Sequence, residues 1–275
     1  MITAALIYCV APGRIPPAAK KAAKVFYGLN CAHRGLYSKD QYVPENSLPA
    51  FAAAHSATYG IELDVQLSKD DAVVVFHDDN LKRVCGVNAT VSSKDLNELA
   101  ELSLFDTDEK IPLLTEVLEI IGDSPVMVEL KPAGEKNEKL CEETLKIMRA
   151  QGQRWCIESF DPRIGAWFRK NAPDVLRGQL SRPPRELVRE AGIPKATAFL
   201  LGNLLVNFIS RPHFIAYRNT RRPLTVRLCR AMRPMKFIWT TQPGDNILKC
   251  EKQNDAVIFE HYEPVPRYNK KVTYL

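Results

Sequence analysis

The sequence lacks closely paired cysteines, internal repeats and low-complexity linkers. Its 275 residues include seven cysteines, an odd number, scattered along the chain. A disulfide framework or a structural zinc site uses cysteines at paired spacings, so the sequence disfavours both and indicates a reducing cytoplasm. The absence of repeats and linkers favours one folded domain.

Long hydrophobic runs are also absent. The apolar N-terminus, residues 1–10, is interrupted by prolines at about half of the roughly 20 residues that a membrane-spanning helix needs. It has neither the charged start nor the cleavage pattern of a secretory signal. We expect residues 1–24 to form a tail and residues 25–275 the folded domain. Contact of the tail with a membrane surface stays open.

Acidic residues are missing from one stretch. Between Arg211 and Lys236 there are eight basic residues and no acid, so the rest of the chain sums to −2 although the total is +6. Clustered cations attract polyanions such as anionic lipids or nucleic acid. We favour the simpler interpretation, a solvated helix on the outside of the fold, and expect no nucleic-acid partner.

Short apolar segments alternate with helical patterns. Strands are predicted at residues 30–33, 61–66, 126–131, 155–160, 175–180, 213–217, 236–241 and 256–260. Helices are predicted between them at residues 47–59, 113–121, 138–151, 162–171, 185–191 and 245–253. Strand–helix units of roughly 30 residues indicate parallel strands joined by crossovers, and eight of them predict a (β/α)8 barrel.

One further predicted strand, residues 73–77, does not fit this alternation. It follows the second strand after a link that permits an antiparallel hairpin but is too short for a parallel crossover. Residues 78–110 then form a small insertion, with a helix predicted near residues 94–102. Barrel enzymes build substrate loops at this position.

Carboxylates cluster in the second and third barrel strands. Glu62 and Asp64 are two positions apart, so both side chains leave the same face of the strand. Neighbouring carboxylates in an apolar strand are costly unless a positive group lies between them. Glu129 would complete an oxygen site for a divalent cation, and Lys131 would neutralise a phosphate. The alternative for Glu62 and Asp64 is a solvated outward face of the strand. The alternative for Glu129 and Lys131 is an exposed ion pair at a strand end.

Two histidines end predicted strands beside these carboxylates. His33 or His77 alone is more often a structural residue than a catalyst, but phosphodiester hydrolysis needs both a base and an acid. Each such group contributes about a hundredfold to ten-thousandfold in rate. Arg34 can present a planar fork to two phosphate oxygens, with strand-end packing as its alternative role.

Several short motifs occur in a fixed order. They are His33-Arg34-Gly35, Pro44-Glu45-Asn46-Ser47, residues 60–65, residues 74–78, Glu129-Leu130-Lys131, residues 159–161 and Trp239-Thr240. This combination resembles the glycerophosphodiester phosphodiesterase family over roughly residues 29–260. The chain departs from the family pattern at residues 259–264, where many relatives read Thr-Asp-Xaa-Pro, and in a longer loop after Gly35. Both departures bear on alcohol selectivity rather than on the chemistry.

The resemblance implies a (β/α)8 barrel with its site at the carboxyl ends of the strands. Glu62, Asp64 and Glu129 would hold a divalent metal, Mg²⁺ or Ca²⁺, and His33 and His77 would be the acid–base pair. Which histidine acts first as the base is left open.

Four more residues acquire roles from the resemblance. Arg34 and Lys131 would steady the phosphate, Glu45 would lie near the metal or the glycerol hydroxyls, and Trp239 would wall the pocket. For Glu45 the alternative is a turn whose neighbours simply cap a helix. For Trp239 the alternative is a packing role in the core of the barrel.

The expected reaction is hydrolysis of a small-molecule glycerophosphodiester to glycerol 3-phosphate and an alcohol, in which the glycerol hydroxyl attacks first to give a cyclic phosphate. One alternative is a lysophospholipase D-type or other phosphodiesterase on the same barrel. Another is a non-catalytic barrel that binds anionic membranes. In each case we expect a cytoplasmic protein. Whether it also associates with a membrane is left open.

Overall fold

The computed structural model describes residues 2–150 and 154–269. Its strands are β1 Leu29–His33, β2 Gly60–Leu67, β3 Val73–Val75, β4 Val126–Leu130, β5 Trp155–Ser159, β6 Arg177–Ser181, β7 Phe214–Arg218, β8 Met235–Thr241 and β9 Ala256–Phe259. Its helices are α1 Ile2–Val10, α2 Lys20–Phe26, α3 Leu48–Ser56, α4 Lys82–Cys85, α5 Leu96–Ala100, α6 Leu114–Ile121, α7 Asn137–Arg149, α8 Pro162–Asn171, α9 Pro184–Ala191, α10 Lys195–Gly202, α11 Asn207–Ser210, α12 Leu224–Ala231 and α13 Ile247–Gln253.

All strands except β3 form one closed parallel barrel. Their order is β1-β9-β8-β7-β6-β5-β4-β2, and β1 pairs with β2 to close the ring. Crossover helices cover the outside, where they bury the outward-facing apolar residues of the strands. The predicted (β/α)8 barrel is confirmed, and the predicted barrel strands agree with the observed ones to within two residues at each end.

The hairpin after the second strand is also confirmed. β3 pairs antiparallel with β2, with Val75 opposite Val65 and Val73 opposite Leu67. The insertion that follows has its own small apolar core, which includes Phe76 and Leu81, and it contains α5 where a helix was predicted. His77 lies two residues beyond β3, in the turn into this insertion.

Several helices were not predicted: α1, α2, α4, α10 and α11. α1 and α10 are apolar on nearly every side, so they lack the alternation of polar and apolar faces by which a surface helix is recognised. α12 lies in the acid-free stretch; it buries Val226 and Cys229 and exposes Arg227, as a helix on the outside of a barrel does. Residue 151, the predicted end of another helix, lies outside the described residues.

The expected tail is occupied by α1 and α2, and both contact the barrel. Val10 is buried with Leu204, Ile215 and Tyr217. α2 closes the end of the barrel at which the strands begin, which we call the lower mouth. The boundary at residue 24 stays a prediction. Among the described residues, no helix is both long enough and apolar enough to pass through a bilayer.

Aromatic rings fill the lower mouth. Phe26 of α2 is fully buried with its ring centroid 5.9 Å from that of Phe237, which in turn stacks on Phe214 at 4.2 Å. Because this end is filled by side chains, a site has its room at the carboxyl ends of the strands.

We expect Phe26→Ala to lower the free energy of unfolding by about 3–5 kcal/mol, because it removes a ring from this packed layer. Urea denaturation followed by circular dichroism measures the change. The neighbouring Tyr27 is 49% exposed, and Tyr27→Ala should change stability by only about 0.5 kcal/mol. Equal effects of the two substitutions would show that α2 does not contribute a core residue.

Candidate functional site

Three carboxylates meet at the carboxyl end of the barrel. Glu62 and Asp64 project inward from β2, and the pairing of β2 with β4 sets Glu129 directly opposite Asp64. All three are buried, and one oxygen of each lies within 4.8 Å of the others. The alternative of a solvated outward face is excluded for Glu62 and Asp64. Their neighbours Leu63 and Val65 are the residues that point outward and pack in the core under the helices.

A fourth carboxylate, Glu158 of β5, lies next to Glu129 in the sheet register. It is buried, and its Oε2 has no hydrogen-bond partner. Lys131 lies between two of the cluster's acids, with its Nζ 2.8 Å from Asp64 Oδ1 and 2.7 Å from Glu129 Oε1. Arg34 is the second cation, with its Nε 3.5 Å from Asp64 Oδ2. Four buried carboxylates thus face two cations.

The surplus of negative charge is visible in the pKa values. Burial raises the pKa of Glu62 well above its usual range, and the charges of Asp64 and Glu129 raise it further. Burial also raises the pKa of Glu129 to about 7 against the opposing effect of Lys131. Burial opposes ionisation of Asp64, but Lys131 foremost, then His77 and Arg34, hold its pKa well below its usual range.

These residues fit a hard divalent cation. The donors are carboxylate oxygens, which Mg²⁺ and Ca²⁺ prefer, and one such ion would balance the two surplus negative charges. Asn46 supports the set from behind, because its Nδ2 donates to Asp64 Oδ2 at 2.9 Å. This orienting role was not predicted from the Pro-Glu-Asn-Ser turn.

Each predicted histidine is held by a carboxylate. His33 Nδ1 is 2.7 Å from Glu260 Oε2, and His77 Nδ1 is 2.6 Å from Asp78 Oδ1. A carboxylate that accepts the Nδ1 proton leaves the Nε2 lone pair free, and His33 Nε2 lies 4.0 Å from Glu62 Oε2. His33 therefore presents Nε2 to the carboxylate cluster, and the Nδ1 contact of His77 leaves its Nε2 free in the same cavity.

Burial disfavours the protonated form of both imidazoles. Burial, reinforced by Lys131, lowers the pKa of His77 to about 4. Burial and the charge of Arg34 lower the pKa of His33, while the hydrogen bond and charge of Glu260 raise it in part. A neutral imidazole with a free Nε2 can accept a proton.

Glu45 connects the two histidine loops. Its Oε1 accepts from Arg34 Nη1 at 2.7 Å and from Arg83 Nη2 at 2.6 Å, and Arg83 Nε donates to Asp78 Oδ2 at 2.6 Å. Capping of α3 belongs to Ser47, whose side chain accepts from the backbone of Ala50. Glu45 is thus an organising residue of the site.

The turn after His33 requires glycine at position 35. Gly35 has φ +80°, in the left-handed region. A Cβ at this position would lie 2.8 Å from the carbonyl carbon of Ala50, at the start of α3. Close packing of this loop against α3 is what holds Arg34 and Glu45 together.

A cavity of about 440 Å³ opens over these groups. Among the predicted site residues, those that line it are His33, Arg34, Glu62, His77, Glu129 and Trp239. Glu45, Asp64 and Lys131 are buried and contact the lining residues instead of the cavity.

Sequence reasoning missed other lining residues, which include Tyr37, Glu158, Phe160, Arg182, Arg218, Gln242 and Glu260. Glu260 accepts from Tyr37 Oη at 3.0 Å as well as contacting His33. The only signal for Glu260 in the sequence is the departure from the family pattern at residues 259–264, which was related to alcohol selectivity. Its partner His33 is 227 residues away in the chain, so only the closed barrel joins them.

The far wall of the cavity is aromatic and basic. Phe160 and Trp239 meet edge to face at 5.7 Å, with the Arg182 guanidinium over Phe160 and the Arg218 guanidinium over Trp239. Both arginines lie 2.6 Å from Glu190 Oε2. One half of the cavity therefore carries the acids, the histidines and Arg34, and the other half has flat aromatic surfaces.

Comparison with known proteins agrees with this geometry. Residues 33–262 match the model of the glycerophosphoryl diester phosphodiesterase family. A glycerophosphodiester phosphodiesterase of Caldanaerobacter subterraneus is 39% identical over 163 residues, which are 55% of this chain and 66% of that protein. A lysophospholipase D of Rattus norvegicus is 37% identical over 121 residues, 38% of this chain and 37% of that protein. The chain thus matches less than two thirds of the length of either relative.

Solved structures match a larger share of this chain. A glycerophosphodiester phosphodiesterase of Thermotoga maritima superposes with a TM-score of 0.63 and 28% identity, over 84% of this chain and 93% of that one. A phosphodiesterase of Oleispira antarctica, solved with sn-glycerol-3-phosphate, has a TM-score of 0.69 and 24% identity, over 86% and 94%. The second likeness supports the fold alone.

We expect the protein to bind Ca²⁺ or Mg²⁺, and Asp64→Asn to weaken binding more than about tenfold, because it removes a charged donor. Asn46→Ala should weaken it by about tenfold, since the substitution frees the Asp64 carboxylate to reorient. Isothermal titration calorimetry measures both effects. Asp123→Asn is the control, because its side chain is 80% exposed and far from the cluster. Unchanged affinity in Asp64→Asn would rule out this metal site.

Proposed function

Because this chain belongs to the glycerophosphoryl diester phosphodiesterase family, we propose that it hydrolyses glycerophosphodiesters to glycerol 3-phosphate and an alcohol. One observation carries the proposal: two histidines, each oriented by a carboxylate, flank a three-carboxylate cluster in a single cavity. This set supplies a proton acceptor, a proton donor and a place for a divalent metal, which are the parts that phosphodiester cleavage needs.

The metal would be held by Glu62, Asp64 and Glu129. Mg²⁺ or Ca²⁺ bound there would neutralise charge that develops on the phosphoryl oxygens and would favour ionisation of the attacking hydroxyl. The choice between the two ions depends on the size and rigidity of the site, because both take oxygen ligands.

The histidines divide the proton transfers between them. In the reactive state one imidazole is neutral and the other is protonated at both nitrogens. The neutral imidazole takes the proton of the attacking glycerol hydroxyl at Nε2 as the P–O bond forms, and the protonated one gives its Nε2 proton to the leaving alkoxide as its P–O bond breaks. Water then opens the cyclic phosphate with the two roles reversed. Glu260 and Asp78 stabilise the imidazolium that forms on each ring.

Two cations stabilise the phosphate of the substrate. Arg34 lines the cavity beside His33 and offers its guanidinium to the phosphoryl oxygens, while its contact with Glu45 fixes the plane of the fork. Lys131, held between Asp64 and Glu129, limits the repulsion between the carboxylates and the incoming phosphate.

A lysophospholipase D activity is the second candidate. The rat relative carries that name, and the aromatic wall of Phe160 and Trp239 offers an apolar surface beside the reaction centre. The two candidates share their chemistry and differ in the substrate. A panel of water-soluble glycerophosphodiesters and long-chain lysophospholipids separates them, since each candidate predicts a higher kcat/KM for its own class.

Release of glycerol 3-phosphate from glycerophosphocholine and glycerophosphoethanolamine tests the proposal directly. We expect EDTA to abolish release and Mg²⁺ or Ca²⁺ to restore it. His33→Ala and His77→Ala should each lower kcat by about a hundredfold to ten-thousandfold, because each removes one proton-transfer group.

His55→Ala is the matched control for these substitutions. His55 is exposed and contacts Ser124, away from the cavity, so its removal should leave kcat unchanged. Full activity of either cavity variant, or in EDTA, would refute the proposed mechanism.

Glu260→Gln tests the orientation of His33. We expect kcat/KM to fall by about tenfold to a hundredfold, because the amide is a neutral acceptor. Glu260 raises the pKa of His33, so losing its charge moves the limb of the pH profile that reports His33 to lower pH. The profile of kcat/KM against pH measures the shift. Glu263→Gln, an exposed neighbour, should leave the profile in place, and an unmoved limb in Glu260→Gln would show that Glu260 has only a packing role.

A further inference from the structure

Three helices on one side of the barrel expose apolar residues to solvent. We call α1, α10 and α11 together the apolar face; Lys195 is the one charged residue in their sequences. The large side chains exposed on it are Ile7, Tyr8, Phe199, Leu200 and Phe208, with exposed fractions between 37% and 59%. Contiguous exposed apolar surface of this kind marks an interaction site.

The apolar face is continuous. The rings of Tyr8 in α1 and Phe208 in α11 stack at 5.9 Å, and Asn207 Nδ2 donates to the Val10 carbonyl at 2.9 Å. Leu204, in the link between α10 and α11, is buried in one cluster with Val10. α1 and α11 therefore pack directly against each other, and the link that leads from α10 is buried against α1.

Cations surround the apolar face. The Arg211 guanidinium lies 4.4 Å from the Tyr8 ring centroid and donates to the Tyr8 carbonyl at 2.9 Å. Arg169 donates to the Phe208 carbonyl at 3.2 Å. Arg227 is exposed on α12, which packs against α1, and Lys195 is exposed at the start of α10. Two of these four cations, Arg211 and Arg227, belong to the acid-free part of the sequence.

The apolar face adjoins the mouth of the cavity. Ser181 Oγ donates to the Leu201 carbonyl and Tyr217 Oη to the Gly202 carbonyl, both at 2.9 Å. The next residues along β6 and β7 are Arg182 and Arg218, which line the cavity. The exposed Phe199 and Leu200 thus lie on the helix that is bonded to the rim of the site.

We propose that the apolar face docks on the surface of a bilayer that contains anionic phospholipids. The exposed rings and aliphatic groups enter the boundary between headgroups and acyl chains, and the surrounding arginines and lysine contact the headgroup phosphates. The same ring of like charges opposes pairing with a second copy of the chain. Docking goes beyond the hydrolytic activity, and it would set the cavity mouth beside lipid-derived diesters.

Sedimentation of the full chain with vesicles tests the proposal. We expect binding to vesicles of phosphatidylcholine with about one third phosphatidylserine, weaker binding to pure phosphatidylcholine, and a loss of binding as salt rises. The double variant Phe199→Ser, Leu200→Ser should bind at least about tenfold more weakly, because it removes two large apolar groups. Lys195→Glu with Arg227→Glu should weaken binding mainly to the anionic vesicles.

A matched control lies on α13, away from the apolar face. Leu248 is 54% exposed and Lys252 is exposed, and Leu248→Ser with Lys252→Glu should bind as the unaltered protein does. Hydrolysis of soluble glycerophosphocholine should be equal in all these variants, which separates docking from catalysis.

Equal binding by the control and the face variants would overturn the proposal, as would equal binding to vesicles with and without phosphatidylserine. Sedimentation equilibrium supplies the remaining outcome. A dimer that is lost in Phe199→Ser, Leu200→Ser would identify the face as a contact between copies of the chain and would likewise overturn membrane docking.

Discussion

The repulsion among buried carboxylates at one end of the barrel is the constraint on which the site depends. Pairing of β2 with β4 sets Asp64 against Glu129, and Glu158 follows on β5, so the closed sheet forces acids together that are far apart in the sequence. Two cations, Arg34 and Lys131, offset part of this charge. Folding alone gives no reason to keep such a cost, whereas a divalent cation bound there would offset it.

The groups next to these carboxylates, which include the two histidines, are held in place by further carboxylates. Burial lowers the pKa of both imidazoles, and Glu260 and Asp78 each contact the Nδ1 atom of one ring. Glu45 then ties the Arg34 loop to the insertion through Arg83. The insertion is thereby part of the site, because it fixes the carboxylate that orients His77.

The molecule is asymmetric around its axis. The β1, β2 and β4 side of the cavity carries the acids and histidines, while the β5 to β8 side carries Phe160, Trp239 and their arginines. Behind that second side lie α10 and α11, whose exposed residues Phe199, Leu200 and Phe208 extend the apolar character outward. The division suits a substrate with an ionic diester at one end and a less polar group at the other.

Local periodicity predicts the barrel and the hairpin after the second strand, and the two-residue repeat of a strand places Glu62 and Asp64 on one face. The sequence motifs also led to the family. The closed barrel decided that this face points inward, and the tertiary structure brought in the partners Glu260, Asn46 and Arg83 and the packing of α1 and α2. Glu260 meets His33 across 227 residues of chain, and no local pattern encodes a contact that exists only once the last strand closes the ring against the first. The helices α1 and α10 were missed for a related reason: their apolar surfaces have no polar side to reveal a helical period, so only their contacts show where they lie.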